Sequence, residues 1–226
     1  MVAHFSQIDM QTGMTFLLLA NMKEKNYTGI IPEQQTGKAI DSETSLELDN
    51  AEEARAFFNV AKTRLQDINN WHELAGSFSA DFQLVNRDGL EVQRRAEKGD
   101  FFKIDIPGPG TESGDGYDWV QIEKIESTAT PEVESYGLRV RPAKNPQNSR
   151  EDIAHFYSSE STSSFTVTRE SNKVTAAIYD RNTKANKDVE AATDKIRDAV
   201  IGVSGILGFS KIQWKALTDG LVKKDK

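Results

Sequence analysis

Leu65-Gln66-Asp67-Ile68-Asn69-Asn70-Trp71-His72-Glu73-Leu74-Ala75-Gly76-Ser77-Phe78-Ser79-Ala80-Asp81-Phe82-Gln83-Leu84 is the stretch in which the spacing of the apolar residues changes. Up to it, Ala54, Phe57, Phe58, Ala61, Leu65 and Ile68 recur at three- and four-residue intervals, which places them on one face of a helix. Gly76 stops that helix. From Phe78 the period is two: Phe78, Ala80, Phe82 and Leu84 alternate with Ser79, Asp81 and Gln83, the pattern of a half-buried antiparallel strand.

Upstream, Asn50 stands as N-cap with Glu53 three residues on, a capping-box spacing. Ser45-Leu46-Glu47-Leu48 reads as a brief strand before it. Downstream, Asn86-Arg87-Asp88-Gly89 is a turn, and Leu90-Glu91-Val92-Gln93 resumes the alternation as a hairpin. Further strands are expected at 101–106, 117–125, 136–141, 164–168 and 174–179, separated by Pro- and Gly-containing loops with no helices between them. Spacing of this kind argues one antiparallel meander. At the end, Val189, Ala192, Ile196, Ala199, Val200 and Val203 form an apolar helical stripe that Gly202, Gly205 and Gly208 then weaken. Ser210 with Gln213 reads as a second capping box, and Phe209 to Trp214 as a hydrophobic staple. Asp219-Gly220-Leu221 closes this helix, with Gly220 in the left-handed cap position. The fold class is therefore α+β: an antiparallel meander sheet packed against an N-terminal helix and a C-terminal helical segment. Residues 1–44 read as an N-terminal extension and residues 45–226 as one domain.

Composition narrows the function. Among 226 residues, 35 Asp and Glu outnumber 28 Lys and Arg, for a net charge of -7. That weighs against a general nucleic-acid binder, whose affinity rests on a basic face. The absence of cysteine excludes disulfides, thiolate metal sites and cysteine nucleophiles. His4, His72 and His155 are scattered, and His72-Glu73 lacks a second zincin histidine because Gly76 stands there, so neither metal nor cofactor is expected. The apolar run Met14-Thr15-Phe16-Leu17-Leu18-Leu19-Ala20 is too short to span a bilayer. No Lys or Arg precedes it, so a cytoplasmic protein is expected, with secretion the lesser alternative. The glycine-rich loop 108–116 is no phosphate cradle: no Gly-Lys-Ser/Thr follows, and Glu112 and Asp115 repel phosphate. Gly-x-Ser-x-Gly is absent. Arg94, Arg95, Arg139 and Arg141 read as partners of strand carboxylates before they read as a binding patch.

The order of elements, with Leu65-Gln66-Asp67-Ile68-Asn69-Asn70-Trp71 at the helix-to-sheet junction, resembles the START-like helix-grip (SRPBCC-type) superfamily over residues 45–222. That resemblance implies an apolar or amphipathic ligand held between the sheet's concave face and a long C-terminal helix. Phe82, Phe102, Trp119, Leu138 and Ile178 on the sheet, with Ile196, Val200 and Val203 on the helix, would line the cavity. Some members of that superfamily are cyclases or hydrolases, and many only bind or carry. The split C-terminal helix and the first 44 residues depart from the family's layout.

A rival layout competes. Gly99-Asp100-Phe101-Phe102-Lys103-Ile104-Asp105-Ile106, followed by Tyr117-Asp118-Trp119-Val120-Gln121-Ile122-Glu123, looks like the core of a small Src-homology-like barrel. It would make residues 99–125 a protein-interaction module with an exposed Tyr-Asp-Trp edge. Non-enzymatic binding of a small apolar ligand ranks first, the interaction module second and an enzyme third. The sequence leaves the oligomeric state open.

Overall fold

The structure, a computed structural model, describes residues 25–76, 79–106, 111–186 and 203–224. Seven strands form one sheet: β1 (Lys38–Glu47), β2 (Asp81–Val85), β3 (Phe101–Asp105), β4 (Asp118–Ala129), β5 (Val133–Pro142), β6 (Thr162–Glu170) and β7 (Lys173–Thr183). Their order is β1-β7-β6-β5-β4-β3-β2, and every neighbouring pair is antiparallel. Strands β2 to β7 are thus one meander, and β1 closes onto its last strand. Three helices complete the described chain: α1 (Ala51–Gln66), α2 (Trp71–Ala75) and α3 (Val203–Leu221). The architecture is α+β, an antiparallel sheet packed against helices. No helix among the described residues is long and apolar enough to cross a membrane.

Helix α1 begins where the cap spacing predicts. Asn50 Oδ1 accepts the Glu53 N–H at 2.9 Å, and its Nδ2 donates to Glu53 Oε1 at 2.9 Å. The return bond therefore runs between side chains, a variant of the reciprocal box. Ala54, Phe58, Ala61 and Leu65 are buried, with Phe57 half-buried beside them, and the helix packs on β6 and β7. Its last turn carries Arg64, whose guanidinium donates to the carbonyls of Leu221 at 3.2 Å and Lys223 at 2.6 Å. A cation there satisfies otherwise orphaned carbonyls at the end of α3.

The junction is built by Asn69 and Trp71. Asn69 Oδ1 accepts the Leu84 N–H at 2.7 Å, while its Nδ2 donates to the Val92 carbonyl at 2.9 Å. The side chain thereby stands in for a strand along the edge of β2. Gly76, at φ +86, ends α2 in a conformation that other residues rarely adopt. The hairpin expected at residues 90–93 is reduced to one bridge, Val85 to Glu91, because Asn69 occupies the place of a partner strand.

Several expectations are corrected. The sheet begins at Lys38 rather than Ser45, and Ile30 and Ile31 pack with Ala177 and Tyr179 on the outer face, away from the helices. Ile30, Ile31 and the strand residues from Lys38 to Thr44 therefore belong to the folded body. Residues 99–125 do not form a barrel: β3 and β4 are interior strands of the open sheet, and Trp119 is fully buried. Helix α3 runs without a break through Ser210, so the second capping box is no helix start. Gly220 lies inside α3 and not in a left-handed cap. A Cβ there would stand 2.1 Å from the Leu74 carbonyl oxygen, so close packing on α2 is what requires glycine. The stripe 189–200 lies outside the described residues.

The inner face holds the core. Trp71 is fully buried and packs on Phe82, Phe102 and Phe165 at centroid distances of 5.3, 5.6 and 4.8 Å. Its Nε1 donates to the Arg64 and Leu65 carbonyls, both at 3.3 Å, which satisfies the one polar atom of the ring. On the outer face, Glu123 pairs with Arg139 and Arg141, so these arginines are cross-strand partners of a carboxylate.

Candidate functional site

Strand alternation decides what faces the helices. On β4, Asp118, Val120 and Ile122 share the inner face, and Trp119 points the other way. Trp119 packs with Val85 and Ala154, and its Nε1 donates to the Gly114 carbonyl at 3.1 Å. Its place on a concave ligand-facing wall is thus overturned. It is buried because residues 143–154 fold over the outer face: the Trp119 N–H bonds to Ala154 O and the Trp119 carbonyl accepts from Ala143.

The expected lining residues divide. Phe102 lines a cavity; Phe82, Leu138 and Ile178 lie in the packed core. Ile196 and Val200 fall outside the described residues, and Val203 opens α3. The cavity lies at one end of the inner face and measures about 30 Å³, room for one or two waters. Ile104, Ile106, Val120 and Val140 make an apolar wall. Facing them are His155 and Tyr157 from the segment before β6, Ser163 of β6, and Ser210, Gln213 and Trp214 of α3.

Two layers of polar groups stand there. Trp214 Nε1 donates to Asp180 Oδ2 at 2.9 Å, and Asp180 is cross-strand partner to Ser163. Asp180 is fully buried, and burial pushes its carboxyl up to about 6 against the Ser163 and Trp214 donors, which favour the charge. Burial also pushes the Tyr157 phenol up, although the Ser210 hydroxyl beside it works the other way. The Tyr157 hydroxyl is buried and makes no hydrogen bond of normal geometry. His155 Nδ1 accepts the Tyr157 backbone N–H at 2.9 Å, and burial lowers the imidazole to about 3. The ring is therefore neutral, with its proton on Nε2.

Asp118, two residues before Val120 on the inner face of β4, has 6% of its surface exposed and is not among the residues that line the cavity. Burial raises its carboxyl to about 7, opposed by the Phe156 backbone N–H that it accepts. Its Oδ1 has no partner. No lysine or arginine lines the cavity. Among the described residues no three His, Asp or Glu side chains gather in a way that would hold a metal. The arrangement offers hydrogen-bonding groups beside an apolar wall.

Sequence reasoning missed Asp118, His155, Tyr157, Asp180, Ser210 and Gln213 as a group. One signal was available: Asp118 and Asp180 each interrupt an apolar inner-face row, Asp118-x-Val120-x-Ile122 and Ala176-x-Ile178-x-Asp180.

No family model matches the chain, and no curated protein does. Among solved structures, a hypothetical protein from Helicobacter pylori is similar with a TM-score of 0.44 and 14% identity, over 85% of this chain and 90% of that one. Truncated norcoclaurine synthase from Thalictrum flavum gives 0.35 and 8% identity over 86% and 100%. Ara h 8.0201 gives 0.28 and 10% over 80% and 99%.

Proposed function

We propose that the protein binds a small amphipathic molecule at the end of the inner sheet face. Its apolar part lies on Phe102, Ile104 and Val120, and its polar group turns toward Tyr157, Ser163 and Ser210. The observation that carries this reading is the Tyr157 hydroxyl, buried beside a cavity without a hydrogen bond. A polar group left in that state costs roughly 1–3 kcal/mol. A ligand oxygen that reaches it recovers that cost, and the apolar wall supplies the hydrophobic part of the affinity. The half-buried Phe156 at the rim is the side chain that must turn to admit anything larger than water.

Tryptophan emission is the test, because Trp214 lines the cavity whereas Trp71 and Trp119 do not. Titration with phenols, benzaldehydes and coumarins is expected to give at least one saturable change. Trp214→Phe should remove most of that change, and Tyr157→Phe should weaken binding about fivefold through the lost hydrogen bond. If no member of the panel gives saturation, the binding reading is abandoned.

A further inference from the structure

Tyr157, His155 and Gln213 all line the cavity, and the fold leaves hydrogen-bonding capacity unused on each of them. The Tyr157 hydroxyl is buried without a partner. His155 spends Nδ1 on accepting the Tyr157 backbone N–H, which places its proton on Nε2. That Nε2–H meets no acceptor among the described residues. The Gln213 carboxamide, on a side chain 5% exposed, makes no hydrogen bond among the described residues either. Tyr157 and His155 stand side by side, their ring centroids 5.7 Å apart and their planes 26° from parallel. Buried polar groups are nearly always paired, so several left open around one space call for an occupant.

What is unused determines what the occupant must offer. Tyr157 holds one uncommitted proton, His155 one and the Gln213 amide two, against a single uncommitted carbonyl oxygen, Gln213 Oε1. Donors are in excess. Their complement is an acceptor with two lone pairs and no proton of its own, which is a carbonyl oxygen. An ammonium group would bring further protons to a wall already short of acceptors. A carboxylate would find no lysine or arginine on the wall, and behind Trp214 it would face Asp180, whose Oδ2 takes the indole N–H at 2.9 Å.

We propose that the cavity selects neutral carbonyl compounds, with the carbonyl oxygen accepting from Tyr157 and His155 and the apolar body lying on Ile104 and Val120. This rests on the binding reading above and deepens it, naming the class of the ligand oxygen and adding His155 as its second donor. Gln213 supplies a further donor on the same cavity. A carbonyl pays less to leave water than a charged group does, and each bond it makes here satisfies a donor that is otherwise desolvated for nothing.

The experiment compares four phenyl compounds of similar shape by calorimetric titration at about pH 7, where the amine and the acid are both charged: acetophenone, α-methylstyrene, 1-phenylethylamine and benzoate. Acetophenone is expected to bind about tenfold tighter than any of the other three, including α-methylstyrene, which carries a methylene in place of the oxygen. Tyr157→Phe and His155→Asn should each cut the preference for acetophenone over α-methylstyrene about fivefold. Asparagine suits the second variant because its Oδ1 can still accept the Tyr157 N–H while the Nε2 donor is lost. Binding of α-methylstyrene by the same variants shows that their cavity is intact. Equal affinity of the unaltered protein for acetophenone and α-methylstyrene, or a preference for either charged compound, overturns the carbonyl proposal and leaves the binding reading standing. A preference undiminished in both variants overturns the assignment to these donors. If none of the four binds, the carbonyl proposal falls, and the panel of phenols, benzaldehydes and coumarins decides the binding reading on its own.

Discussion

The two ends of the inner sheet face are built from the same material to opposite effect. At the α1 and α2 end, Trp71 meets three phenylalanines and its single polar atom is satisfied by two carbonyls. At the α3 end, Trp214 meets Phe165 at 5.3 Å, but its indole N–H is spent on a buried carboxylate, and the Tyr157 hydroxyl on the same cavity has no partner. Phe165 and Phe102 belong to both ends and separate them. A well-packed aromatic cluster stabilises because every contact is made. A polar, incompletely satisfied one sacrifices stability, and such sacrifice is where binding sites are found.

The largest expected break in that contrast comes from Trp71→Ala, which should lower the unfolding free energy by about 3–5 kcal/mol through the cavity left behind. A loss under about 1 kcal/mol in denaturant titration would show that this end is not the stabilising one.

Next in size is a pH effect confined to the open end. Asp118 and Asp180 bind their protons more tightly in the folded state than an ordinary unfolded aspartate does. The stability they contribute is therefore full below about pH 4 and lost as pH rises through about 6 to 7. For Asp118 the loss is about 4 kcal/mol. Glu123 acts in the opposite sense: burial works against its charge, but Arg141 and Arg139 outweigh that and hold it low. Its contribution is present above the ordinary carboxylate range and lost below it. Denaturation midpoints measured from pH 4 to 8 should fall with rising pH, and Asp118→Asn should flatten the fall. An unchanged slope in that variant would remove Asp118 from the account.

Gly220→Ala probes the seam where α3 meets α2. With the new Cβ directed at the Leu74 carbonyl, a loss of about 1–3 kcal/mol is expected from forced displacement. Smallest of all is Tyr157→Phe, which removes a hydroxyl that makes no bond. Relief of the unpartnered buried hydroxyl should raise stability by about 1 kcal/mol, while ligand affinity falls.

Much of the packed end was legible in the residues. The Asn50 cap, the α1 stripe and the alternation about Phe82 and Leu84 each follow from a local rule, and the structure keeps them. The open end was not legible, for three physical reasons. Alternation states which residues share a face but not which face is inner, so the bulk of Trp119 suggested the wrong side of β4. The Ser210 to Gln213 spacing imitates a cap, yet both side chains are wanted against the sheet, and the helix continues through them. Burial of Asp118 and Asp180 depends on segments more than thirty residues away, Phe156 and Trp214 among them, and no local pattern encodes that.

The closure of β1 onto β7 has a consequence for how the chain finds this fold. Strands β2 to β7 each pair with a neighbour in sequence, so their hairpins can zip progressively at modest loop-closure cost. Strand β1 pairs Lys38 with Thr183 and Glu47 with Lys173, across nearly the whole meander. Contacts of such sequence separation form late and slow the overall rate. During synthesis β1 leaves the ribosome first, and its partner edge does not exist until β7 has followed. The first strand made is the last one placed.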